Sequence, residues 1–323
     1  MRRREFIGLV GGTALSPLLA YAQQGAGNPV VGILSSGSEA TTPEGIRFGL
    51  EEAGYFEGRN LKIVSRWSDG HYERLPALAE ELLKVGVSVI IAGDLPATLA
   101  ARVATKTTPI VFIMGADPVT QGIVENLNRP GGNTTGLSQV LGIVGGKRLE
   151  LLREVMPNPG LIALLTNPRN PNMRDNLGMV LEAARRIGQP VEAFSASTDL
   201  EIDAAFAAVV ASGARGLQIL DDPVFRTQGN QLVRLAAQRA IPTIYYARSF
   251  TLAGGLISYG SNVRDNYRQV GIYAGRILQG VKPADLPVIQ PAKFELSINL
   301  KTAKDLGITV PPMLLSRADE VIE

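Results

Sequence analysis

Arg129-Pro130-Gly131-Gly132-Asn133-Thr134-Thr135-Gly136-Leu137-Ser138 divides the chain into two stretches built on one plan. Before it lie four short apolar runs, at 30–34, 61–64, 87–91 and 109–113. After it lie four more, at 161–165, 190–194, 214–220 and 242–246. The fourth run of each stretch opens on Pro109 or Pro242. A glycine-rich run, Gly254-Gly255-Leu256-Ile257-Ser258-Tyr259-Gly260, closes the second stretch as residues 131–138 close the first. We read these two glycine-rich runs as hinge strands between two lobes.

Between the apolar runs lie segments with helical spacing. Ile46, Leu50 and Ala53 fall on one face of a helix over about 43–53. Leu75, Leu78, Ala79, Leu82 and Leu83 do the same over 75–85, and Leu149, Leu152 and Val155 over 146–155. Pro96 opens a further helix at a position that tolerates proline. Strands alternating with helices of ten or so residues specify parallel sheets. Runs such as 87–91 are apolar on both faces, as strands covered by helices on both sides require. A long helix over 264–278 follows the second hinge run. The tail holds a strand at 294–299, a short helix at 301–306 and an irregular end around Pro311-Pro312.

Composition narrows the function. At 323 residues the chain is long enough for two domains. It has no cysteine, which removes disulfides, thiolate catalysis and cysteine metal sites together. Arg2, Arg3 and Arg4 precede an apolar stretch at 6–19, and Ala20-Tyr21-Ala22 has the small-x-small pattern of a signal-peptidase site. Residues 1–22 are therefore expected to be a signal peptide, with Arg3-Arg4-Glu5-Phe6-Ile7 resembling a twin-arginine motif. Cleavage after Ala22 removes three Arg and one Glu, so the 32 basic and 30 acidic residues become 29 and 29. A neutral mature surface argues against a nucleic-acid partner. No later apolar run is long enough for stable membrane insertion.

Ligands of open α/β sheets bind at the carboxyl ends of the strands. These ends are rich in small residues, hydroxyls, carboxylates and aromatics. Ser35, Ser36, Gly93 and Thr98, with the helix opening at Pro96, suit a carboxylate. Asp94, Asp117 or Asp221 suits an ammonium, and Asn167 offers an amide. Trp67, Tyr245, Tyr246 and Tyr259 suit a flat or bulky apolar group. Each has a plainer reading as well: Asp94 and Asp117 as helix caps or turn formers, Asn167-Pro168 as a turn, Tyr246 as a core tyrosine. Together they point to an amino acid with an aromatic or branched side chain. Catalytic residues, metal sites and cofactors are not expected. His71 is the single histidine, beside a turn and far from any nucleophile elbow, and the chain has neither a phosphate-binding loop nor a dinucleotide fingerprint.

Longer phrases carry a resemblance: Glu57-Gly58-Arg59-Asn60, Arg66-Trp67-Ser68-Asp69-Gly70, Asp117-Pro118-Val119, Lys147-Arg148-Leu149-Glu150-Leu151-Leu152, Lys282-Pro283-Ala284-Asp285-Leu286-Pro287, and the run from Phe294 to Ala303. With Arg129 to Gly136 and Arg317 to Ile322, they make the whole mature chain similar to the periplasmic solute-binding components of ABC transporters, the family that includes tryptophan- and tyrosine-type binding proteins. The resemblance implies the type I periplasmic-binding fold: α/β, two doubly wound parallel-sheet lobes joined by a three-strand hinge. Lobe one is expected at 28–135 plus 262–280, and lobe two at 139–256 plus 290–323. The resemblance also implies a monomer in the periplasm that passes a small-molecule solute to an ABC permease and its ATPase. The competing reading is an enzyme on a doubly wound fold acting on a small polar metabolite, disfavoured by the missing base–nucleophile pair. A regulator would need a DNA-binding helix-turn-helix where the export signal stands. Replacing Arg3 and Arg4 by Lys is expected to leave unprocessed precursor on the twin-arginine route, whereas unchanged processing assigns the general secretory route.

Overall fold

The computed structural model describes residues 27–38, 44–139, 141–156, 160–291 and 293–323. The expected signal peptide at 1–22 lies outside them. The first sheet holds β1 (Val30–Ser35), β2 (Lys62–Trp67), β3 (Val89–Ala92), β4 (Ile110–Met114) and β5 (Thr134–Ser138). All its pairings are parallel, in the order β2-β1-β3-β4-β5. Helices α1 (Gly45–Glu52), α2 (Leu75–Val85) and α3 (Leu95–Ala104) connect these strands. Pro96 lies in the first turn of α3, and Gly86 closes α2 in the left-handed conformation at φ 78°.

From β5 the chain crosses to α4 (Leu141–Val155) and builds a second sheet. Its elements are β6 (Ile162–Thr166), α5 (Met173–Arg186), β7 (Val191–Ser195), α6 (Asp199–Ala211), β8 (Gly216–Ile219), α7 (Pro223–Thr227), α8 (Gly229–Gln238), β9 (Thr243–Tyr245), α9 (Arg248–Leu252) and β10 (Ile257–Ser261). These strands run β10-β9-β8-β6-β7, which reproduces the order of the first sheet copy for copy. The chain then crosses back. Helix α10 (Val263–Leu278), capped by the Asn262 side chain on the Asp265 N–H, packs on the first sheet against α1. A third crossing leads to β11 (Phe294–Asn299), antiparallel beside β10. Helices α11 (Leu300–Asp305) and α12 (Pro312–Leu315) and strand β12 (Glu320–Ile322) follow.

Each sheet is covered on both faces. On the first, Leu75, Leu82 and Ala101 seal one side while Ile46, Leu50 and Val270 seal the other. On the second, Ile202, Phe206 and Leu232 oppose Leu149, Leu152 and Leu314. Strands buried on both faces are uninterrupted apolar runs for this reason. The C-terminal end departs from its irregular reading. Residues 312–315 form a turn of helix and 320–322 pair parallel with β11. Three residues carry no periodic signal of their own, and the pairing comes from the exposed edge of β11.

The crossings converge on β5. Its Ser138 N–H donates to Ile289 O at 2.9 Å, and the Ile289 N–H donates to Gly136 O at 2.9 Å, so the third crossing is tied to the first. The Thr135 hydroxyl donates to Leu286 O at 2.6 Å. A Cβ on Gly136 would sit 2.1 Å from Phe112 O, and one on Gly260 would sit 2.0 Å from Tyr246 O. Gly136→Ala is therefore expected to push β5 off β4 and to destabilise the chain by about 1–3 kcal/mol, as overpacking does. A urea titration checks it through the midpoint, with an unchanged midpoint counting against the contact.

Candidate functional site

The carboxyl ends of the two sheets face one another across a cavity of about 800 Å³, counting its opening to solvent. The wall from the first sheet is mainly apolar. Ile33, Ile91, Ile113 and Met114 come from β1, β3 and β4, Ile46 from α1 and Tyr267 from α10. Its polar part is organised by Asp94, which caps α3. The Ala97 N–H donates to Oδ1 at 2.9 Å, and the Ser36 N–H and Ser35 hydroxyl donate to Oδ2 at 2.7 and 3.2 Å. Burial raises the Asp94 pKa, and these donors oppose the rise.

The wall from the second sheet is polar. After β6 the turn Asn167-Pro168-Arg169-Asn170-Pro171-Asn172 presents three amides. The Asn167 and Asn170 amides donate to the two oxygens of Asp222 at 3.0 and 2.7 Å. The Val224 N–H adds a third bond at 2.9 Å, and the Tyr72 hydroxyl reaches Asp222 from the other lobe at 3.4 Å. Asp222 is fully buried, and its pKa is pushed up to about 6 by desolvation. Burial and the Asp222 and Asp94 carboxylates raise the Tyr72 pKa, so this hydroxyl keeps the proton it donates. Beside this cluster Asp221 pairs with Arg226 at 3.3 Å, and the guanidinium lies over the Tyr246 ring at 5.8 Å. Arg148 is also fully buried. Its Nε–H donates to Tyr259 O at 2.7 Å, and burial holds its pKa down to about 10 while Asp221 draws it the other way.

Of the residues singled out in the sequence, Ser35, Gly93, Asp94 and Asp221 line this cavity. Ser36, Thr98, Asn167 and Tyr246 stand behind it as supports. The Thr98 hydroxyl donates to Asp94 O at 2.7 Å, the Tyr246 hydroxyl to Asp222 O at 3.2 Å, and Asn167 is gripped by Ser197 at 2.7 Å. Four others are elsewhere. Tyr245 is 0% exposed and stacks on Phe250 at 4.8 Å inside the second lobe, since its strand is covered on both faces. Tyr259 stacks on Phe294 at 5.9 Å, across the β10–β11 pair. Asp117 is exposed and caps its own turn through the Val119 N–H at 2.9 Å. Trp67 ends the edge strand β2, away from the cavity lining. The sequence reading missed Gln139, Asn170, Asn172, Arg226 and Tyr267. The Asn-Pro repeat after β6 was a visible signal for two of them. Tyr267 enters from a helix encoded beyond the second lobe, and no local pattern announces it.

Among the described residues no group of His, Asp and Glu is arranged to hold a metal, and no helix is long and apolar enough to cross a membrane. The family model of the ABC transporter substrate binding protein matches residues 29–322. The chain belongs to that family. It is a family of solute-binding proteins that serve ABC transporters, not a family of enzymes. A tyrosine-binding protein of Clostridioides difficile (strain R20291) is 27% identical over 259 residues, covering 80% of this chain and 74% of that protein. The L-Trp complex of an ABC domain from Streptococcus pneumoniae superposes with a TM-score of 0.82 at 28% identity, over 91% of this chain and 100% of that one. A conserved domain protein from Vibrio cholerae gives 0.83 at 27%, over 91% and 99%. The architecture is the type I periplasmic-binding fold.

The raised Asp222 pKa has a definite sign. An unfolded Asp titrates near 3.9, so between about 4 and about 6 the native chain holds a proton that the unfolded chain releases. Asp222 thus adds stability at low pH that is lost as pH rises through about 6. The melting temperature of the wild type minus that of Asp222→Asn is expected to increase as pH falls from 7.5 to 5. A difference that stays flat across this range would mean that Asp222 is ionised throughout.

Proposed function

We propose that this chain captures an amino acid with an aromatic or branched apolar side chain in the interlobe cavity and delivers it to an ABC permease and its ATPase. The observation that carries this reading is the division of chemistry between the two walls. Ile33, Ile91, Ile113, Met114 and Tyr267 offer an apolar surface on one side, and Asp221, Arg226, Asn170 and Asn172 offer charges and amides on the other. A solute held by both must be apolar at one end and charged at the other. A sugar would need free polar groups on both walls, and on the first the Asp94 carboxylate is taken up by the Ser35 hydroxyl and the Ser36 and Ala97 N–H groups. The tyrosine- and L-Trp-binding relatives support the same class.

The working cycle is a hinge closure of two units, 28–135 plus 262–280 and 139–256 plus 290–323, with the solute stabilising the closed arrangement by its contacts to both walls. Tyr72 reaching Asp222, and the Ser38 and Thr227 hydroxyls 3.5 Å apart, are interlobe contacts of the closed form. The protein acts as a monomer in the periplasm after removal of residues 1–22, and it catalyses no reaction. Of the carboxylates lining the cavity, Asp94 is held by the Ser36 and Ala97 N–H groups and the Ser35 hydroxyl, and Asp221 is paired with Arg226.

Ligand that binds only the folded chain raises its melting temperature. A thermal-shift screen of the mature protein against amino acids, sugars, purines and oxyanions is expected to respond to aromatic or branched amino acids. Shifts with sugars or anions alone would end the amino-acid assignment. Loss of a charged hydrogen bond costs about 1.5–3 kcal/mol. Asp221→Ala is thus expected to weaken the best amino acid about ten- to a hundredfold by calorimetry.

A further inference from the structure

Two polar atoms on the second-sheet wall have no partner among the described residues. The Arg226 Nε–H is buried and donates to nothing, and the Asn172 Oδ1 is buried and accepts nothing. Both residues line the interlobe cavity, and Asn172 is only 5% exposed. Their neighbours are engaged elsewhere: the Asn167 and Asn170 amides hold Asp222. Asn172 stands at the N-cap of α5, yet its side chain makes no capping bond. Buried polar groups in native proteins are almost always satisfied, and each one left over calls for an explanation.

The surroundings of Arg226 set the sign of what it lacks. Its Nη2 contact with Asp221, at 3.3 Å, is longer than a close charge-assisted bond of about 2.7–2.9 Å. The Asp221 charge also acts on the buried Arg148, whose own hydrogen bond goes to Tyr259 O. The Tyr246 ring beneath Arg226 fixes the guanidinium plane at the cavity wall. An unmet donor on a cation takes an anionic acceptor, and an unmet carbonyl takes a donor. A zwitterion supplies both.

We propose that Arg226 reads the carboxylate of the solute and that the Asn172 carbonyl, on the same cavity wall as Asp221, reads its ammonium. The head group is then recognised by the second lobe alone, and the first lobe selects the side chain. This rests on the amino-acid reading above and names the residues that enforce it.

The test is calorimetry on the mature chain with L-tyrosine, L-tryptophan and L-leucine. Each is paired with its carboxamide, which lacks the carboxylate charge, and its deaminated acid, which lacks the ammonium. The wild type is expected to prefer the amino acid over both analogues by about ten- to a hundredfold. In Arg226→Met the preference over the carboxamide collapses and the preference over the deaminated acid stays, while Arg226→Lys recovers part of the first. In Asn172→Leu the pattern reverses. A variant that weakens all the ligands equally assigns a packing role to that residue and overturns the proposal. So does unchanged discrimination in a variant, or a wild type that does not discriminate. Failure of the wild type to bind any of the three amino acids overturns instead the class of solute on which the proposal stands.

Discussion

Helices α1 and α10 touch backbone to backbone, and much of the architecture depends on that contact. A Cβ on Gly49 would lie 2.0 Å from Arg268 O, one on Gly45 2.3 Å from Arg264 O, and one on Gly271 2.3 Å from Ile46 O. Only glycine permits this approach. The contact brings a helix encoded after the second sheet back onto the first. Arg268 then reaches Glu52 at 2.7 Å and Gln279 reaches Ala53 O at 2.9 Å. It also carries Tyr267 to the cavity and sets the start of the third crossing, which ends tied to β5.

The cavity holds several charged groups, but few of them are available. Asp94 binds a loop and a helix start together, and Asp222 binds the Asn-Pro turn to the start of α7. Both carboxylates are desolvated and answered by donors, so they shape the walls without offering much to a solute. Asp221 and Arg226 remain, loosely paired at 3.3 Å and positioned by aromatic and cationic neighbours. Their loose pairing leaves either partner open to competition from another charge.

The duplication was readable because strands covered on both faces are continuous apolar runs, and eight apolar runs recur, four in each half, in the same order. The hinge was readable in Gly136 and Gly260, which occupy matching places in the two copies and make matching close approaches to Phe112 O and Tyr246 O. The site was readable only where a strand end supplies the residue itself, as for Ser35, Asp94 and Asp221. Aromatic residues misled the reading. A Tyr at a strand end serves a core as readily as a ligand, and Tyr245 and Tyr259 pack against Phe250 and Phe294. Arg226 and Tyr267 were hidden for another reason: their placement follows from a short helix and a distant crossing, neither of which leaves a local spacing.

Three crossings also govern the order in which this chain can acquire its shape. One face of the first sheet is only partly covered, by α1, until α10 is complete at residue 278, and β10 keeps an open edge until β11 arrives at 294–299. An uncovered apolar face and an unpaired strand edge are the surfaces on which partly folded chains aggregate. Neither half can therefore mature while it is being synthesised, although each begins early. The pairings that finish both halves are distant in sequence, which makes them slow to form. Such late completion leaves the polypeptide pliable for most of its synthesis.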